Sequence, residues 1–195
     1  MKTLMRYFSL GSLITAAILV AGCAGYPGAA TPDQQRAEIQ RMRADTLDKL
    51  YKIHPAARTN IQMAAGYAVF SNIGINLVLF SAEGGEGLAH DSKTGHDTYM
   101  RMVSGGLGLG LGVKDFRGIF VFYSTDKLNQ FINSGWEANV QADAAAKAND
   151  KGGAVTGAIT IAPGIDLYQV TESGLALQAT IQGTKYFKNE DLNAK

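Results

Sequence analysis

The chain has 195 residues, 46% hydrophobic and 18% charged, with a formal net charge of +1. That balance excludes bulk electrostatic attraction to nucleic acid, which needs a strongly basic surface. Cys23 is the one cysteine, so no disulfide can form within the chain and the fold must rest on its hydrophobic core.

Lys2 and Arg6 open the chain with positive charge, Phe8 to Ala21 is apolar or small apart from Ser9, Ser12 and Thr15, and no acid precedes Asp33. This is the layout of a secretory signal whose apolar core is too short to span a bilayer. It ends in Leu19-Val20-Ala21-Gly22-Cys23, which resembles the lipobox of bacterial lipoproteins. Small residues before the cysteine suit a lipoprotein signal peptidase, and a thiolate is the nucleophile that accepts the diacylglyceryl group. The resemblance implies a signal peptide over residues 1–22, lipidation at Cys23, and a lipid-anchored tether over residues 23–31. Ala24 stands where the enteric rule places Asp for inner-membrane retention, which implies the outer membrane, on its periplasmic face. Without Lys2 and Arg6, 16 basic side chains face 17 acidic ones, so buried acyl chains rather than net charge would hold the protein there.

Thr31-Pro32-Asp33-Gln34 reads as a helix start, with Thr31 as N-cap, Pro32 at the first helical position and Gln34 closing a capping box. The helix is predicted to run to Ile53, ahead of Pro55, and a second one to cover Ala56 to Ala65. Ile39, Met42, Leu47, Leu50, Tyr51 and Ile53 share one side of the first helix, with Arg36 and Arg43 in the middle of it. From Gly66 the period changes to two. Strands are predicted at 66–70, 75–80, 96–103, 107–113, 118–123, 136–142, 155–162, 165–170 and 175–182, joined by turns such as 91–95 and Pro163-Gly164. One helix interrupts over Thr125 to Ser134, buries Leu128, Phe131 and Ile132, and stops at Gly135; residues 143–153 read as a loop. The fold expected is β-rich α+β: N-terminal helices packed on a long, curled or barrel-like antiparallel sheet, a single domain over residues 32–195.

Few residues offer chemistry. The run from Gly105 to Gly112 lacks the Lys-Ser/Thr of a phosphate-binding loop, and no register fits G-x-G-x-x-G. Its alternation puts Leu107, Leu109 and Leu111 on one sheet face and the bare backbone of Gly106, Gly108 and Gly110 on the other. Such a face admits a helix, a second sheet or an acyl chain. His90-Asp91 and His96-Asp97 bracket a hairpin turn, but a metal needs three or four converging groups, so no metal or other cofactor is expected. Glu83 and Glu86 flank a Gly-Gly pair and read as a solvated turn. No nucleophile or zinc motif is present, so no enzymatic activity is expected. Arg36 and Arg43 point about 20° apart on an ideal helix, and an arginine in an apolar stripe needs an acceptor. That acceptor is a carboxylate of the domain, water at a frayed first turn, or the phosphates of a membrane on which the helix lies.

Gly66-Tyr67-Ala68-Val69-Phe70-Ser71, Gly84-Gly85-Glu86-Gly87, the glycine-rich stretch from Tyr99 to Val113, Thr125 to Phe131, and Leu167-Tyr168 through Ser173-Gly174-Leu175-Ala176 to Gly183-Thr184 together resemble the SYLF domain in order and spacing. The chain departs from that pattern at Ser71, where proline is usual, at Arg117 to Ser124, which is apolar where many members are acidic, and at Leu175 to Gln178, which lacks an aromatic residue and a glycine. The resemblance implies lipid binding, and for a lipid-anchored member a membrane phospholipid, anionic by the family's preference. Arg36, Arg43, Gly106, Gly108 and Gly110 are the lipid-binding candidates. The competing expectations are a structural or interaction lipoprotein that binds a protein or cell-wall partner, and a metal-dependent hydrolase built on His90 and His96.

Overall fold

A computed structural model describes residues 30–71, 84–104, 117–137, 157–171, 174–175 and 184–194. Cys23, Gly106, Gly108 and Gly110, the strands expected at 75–80 and 107–113 and the loop at 143–153 lie outside these residues. Helix α1 (Pro32–Ile53) starts at the capping box: Thr31 Oγ1 accepts from the Gln34 amide, and Gln34 Oε1 accepts from the Thr31 amide. It stops at His54, ahead of Pro55, and α2 (Ala56–Met63) follows.

Among the described residues nine strands form one antiparallel sheet. They are β1 (Gly66–Ser71), β2 (Gly84–Asp91), β3 (Asp97–Ser104), β4 (Arg117–Phe122), β5 (Trp136–Glu137), β6 (Ile159–Ala162), β7 (Ile165–Thr171), β8 (Gly174–Leu175) and β9 (Thr184–Lys188). Their order is β5-β9-β3-β2-β1-β4-β7-β6, with β8 paired to β7. Helix α3 (Thr125–Ser134) is capped by Ser124 and ends at Gly135, whose φ of 70° favours glycine; α4 (Glu190–Asn193) is capped by Asn189.

The sheet is a curled half-barrel. Phe120 and Tyr186 are four strands apart in the sheet order, about 19 Å if it were flat. Their ring centroids nonetheless lie 5.0 Å apart. The concave face closes on Phe70, Phe120, Phe122 and Tyr186, covered by Leu128 and Phe131 of α3. The opposite face carries Val69, Ile119, Val121, Tyr168 and Val170 under Leu50 of α1 and Ala57 and Ile61 of α2. A smaller cluster of Ile39, Leu88 and Leu192 ties α1 and α4 to the same face.

Two expectations are corrected here. Gly84 to Glu86 is strand, not a solvated turn, and Glu86 is only 7% exposed. Its glycines are demanded by close approach: a Cβ on Gly85 would lie 2.5 Å from Met102 Cε, and one on Gly87 would meet the Val69 carbonyl oxygen. Strand β9 and helix α4 also form where no element is expected. Thr184 to Lys188 shows the alternation of a half-buried strand, with Thr184 and Tyr186 inward and Lys185 and Phe187 outward.

Candidate functional site

Helix α1 is held across the sheet by apolar contacts of Ile39, Leu50 and the partly buried Met42, Leu47 and Tyr51, and by a set of polar bonds. Asp97, at the start of β3, is the hub. It accepts from Arg43 Nη1 at 3.2 and 2.9 Å, from Gln40 Nε2 at 2.8 Å, and lies 2.7 Å from His90 Nδ1, its cross-strand partner. Burial would push the Asp97 carboxyl up. The hydrogen bonds from Gln40 and His90 and the Arg43 charge outweigh burial and hold it below the usual carboxylate range. The His90 ring packs on Tyr67, centroids 5.0 Å apart.

Arg36 is used differently. Its Nε donates to the Leu192 carbonyl at 2.9 Å and an Nη to that of Ala194 at 3.2 Å, so it caps the C-terminal end of α4, while the other Nη pairs with Asp33 at 2.7 Å. Both arginines that the sequence places in the apolar stripe therefore find acceptors inside the domain: a carboxylate for Arg43, backbone carbonyls for Arg36.

The two His-Asp pairs of the hairpin do not meet as pairs. His90 takes Asp97, Asp91 Oδ1 accepts from the Lys93 and Thr94 amides of the turn, and His96 is exposed. Among the described residues no three His, Cys, Asp or Glu side chains converge as metal ligands.

A groove of about 350 Å³ opens between α1 and the sheet. Ile39 and Met42 supply its apolar lining, Glu38, Arg41 and Asp45 its helix wall, and Glu86 and Arg117 its sheet wall. Register explains the sheet wall: Glu86 and Arg117 both pair with Ser71 of β1, from opposite sides, so the three side chains point to the same face. Burial pushes the Glu86 carboxyl up; the Arg101 charge opposes this and Glu38 adds to it. Sequence reasoning missed Glu86 and Arg117. The signal was there: Glu86, Leu88 and His90 alternate with Gly85, Gly87 and Ala89, a strand pattern with small residues on one face.

No helix among the described residues is long and apolar enough to cross a membrane. No family model matches the chain. It is 33% identical over 162 residues to a protein named Beta cell expansion factor A from Aeromonas veronii. That alignment covers 83% of this chain and 60% of the relative, so the chain spans less than two thirds of the relative's length.

Proposed function

We propose that the chain is a SYLF-like, phospholipid-binding lipoprotein, anchored through Cys23 at the periplasmic face of the outer membrane, that binds rather than catalyses. The groove between α1 and the sheet carries this reading. Apolar Ile39 and Met42 sit beside charges of both signs, the chemistry of a boundary between headgroup and acyl chain. The helix that walls the groove begins nine residues after Cys23, so an anchored chain would keep the groove close to the bilayer.

Lipid contact through Arg36 and Arg43 would require them to leave the acceptors they hold, and Gly106, Gly108 and Gly110 remain candidates for acyl-chain contact. A protein partner by strand addition is less favoured. The sheet's outer strands, β5 and β6, span two and four described residues, and β6 carries a register shift between Thr160 and Ala162. Catalysis by His90 would need a nucleophile at its ring, and among the described residues its hydrogen-bond partner is Asp97.

Vesicle flotation of the chain from Ala24 onward tests the binding. Phospholipid vesicles should carry the protein upward without its anchor; protein left at the bottom of the gradient overturns the reading. Binding that falls in Arg36→Ala/Arg43→Ala with the fold intact would return those two residues to direct lipid contact.

A further inference from the structure

Glu86 is 93% buried by area, yet among the described residues its carboxylate has no hydrogen bond and no ion pair. Its cross-strand neighbour Arg101 reaches Asp191 instead, at 3.3 Å. The Glu86 side chain is packed into the sheet wall while the carboxylate opens on the groove, where burial raises its pKa, and a perturbed carboxylate so placed is a mark of a binding site. Among the described residues the groove offers three acids, Glu38, Asp45 and Glu86, and two arginines, Arg41 and Arg117. An occupant bearing only negative charge would meet the acids and leave Glu86 unsatisfied.

We propose that the groove holds the headgroup of a zwitterionic phospholipid bearing a primary ammonium, of the phosphatidylethanolamine class, with the ammonium on Glu86 and the phosphate on the arginine side. This rests on the reading of the groove as a phospholipid site and names its headgroup. A primary ammonium has three donors and no acceptor, which is what a buried carboxylate lacks. Guanidinium groups suit a phosphate. Glu86 and Arg117 flank Ser71, two strand spacings or about 10 Å apart at Cα, so the two ends of one short headgroup fit between them. Ile39 and Met42 give the first methylenes beyond the phosphate an apolar surface.

The test is calorimetric titration of the full chain carrying Cys23→Ser with dihexanoyl phosphatidylethanolamine and with dihexanoyl phosphatidylglycerol, both below their micelle concentrations. The ethanolamine lipid should bind at least tenfold tighter, and Glu86→Gln should erase that preference. Glu38→Gln, on the exposed side of α1, should reduce it in a chain whose core is untouched. Equal or tighter binding of the glycerol lipid, with the variants unchanged, overturns the headgroup assignment and leaves phospholipid binding standing. Binding of neither lipid overturns both. Soluble phosphoethanolamine bound as tightly as the lipid overturns the commitment to a membrane lipid.

Discussion

Arg43 of α1 donates one guanidinium nitrogen to both carboxylate oxygens of Asp97 on β3, at 3.2 and 2.9 Å. That contact fastens a helix with few buried residues to the sheet. Charge-assisted hydrogen bonds in a partly shielded place contribute about 1.5–3 kcal/mol. Arg43→Ala, Asp97→Ala and the double variant, compared by denaturant unfolding, should show coupling of that order. Additive losses would mean that the Arg43–Asp97 contact does not couple α1 to the sheet.

The same carboxylate sets a pH dependence. Its native pKa is held below the usual carboxylate value, so its contribution is present above that value and is lost as pH falls through the native one. Asp97→Asn should therefore destabilise at pH 7, and the gap to the parent chain should close on acidification. A gap that widens toward low pH contradicts the hub.

Glu86 has the opposite sign. Its carboxyl is raised above 4.5, so the folded state favours the protonated form and is penalised as pH rises beyond that value. Relative to the parent chain, Glu86→Gln should gain stability as pH rises above 4.5, in thermal melts read from acid to neutral pH. A relative loss with rising pH would mean that the carboxylate is well paired.

Two tyrosines separate a satisfied hydroxyl from an unsatisfied one. Tyr168 Oη bonds Asn60 Nδ2 at 2.9 Å, whereas the fully buried Tyr186 hydroxyl has no partner among the described residues. Tyr168→Phe should cost about 0.5–1.5 kcal/mol, and Tyr186→Phe should be neutral or stabilising, both read by equilibrium unfolding.

Glycines of the sheet and of the turn should respond for different reasons. Gly87→Ala drives a Cβ against the Val69 carbonyl and to within 2.5 Å of Phe70 Cδ1, and should cost about 1–3 kcal/mol or more. Gly95 has open space around a Cβ but a φ of 73°, so Gly95→Ala should cost only about 1 kcal/mol. Comparable losses at the two sites would put the close approach at β2 in doubt.

Local signals made much of the fold legible. The capping box at Thr31, the stop before Pro55, helix α3 with its Gly135 end, and strands β1, β3, β4 and β7 all follow from spacing and turn chemistry. Strand β2 carries an alternation at Glu86, Leu88 and His90, but Gly-Gly-Glu-Gly looks like a turn until Met102 and Phe70 are seen to fill the space that side chains would take. The Leu192 carbonyl that takes Arg36 and the Asp97 carboxylate that takes Arg43 lie 156 and 54 residues away along the chain, so periodicity shows that each arginine needs a partner without naming these two. The groove was illegible for the same reason: Glu86 and Arg117 become neighbours of Ser71 only through strand order.

Intact mass of the protein extracted from bacterial membranes, measured under native and then denaturing conditions, tests phospholipid binding by an anchored chain most directly. The denatured mass should equal residues 23–195 plus a covalent acylglyceryl group. The native mass should exceed it by one phospholipid, which is lost when Met42→Trp fills the groove. Identical native and denatured masses, or an N-terminus other than a modified Cys23, would contradict the account.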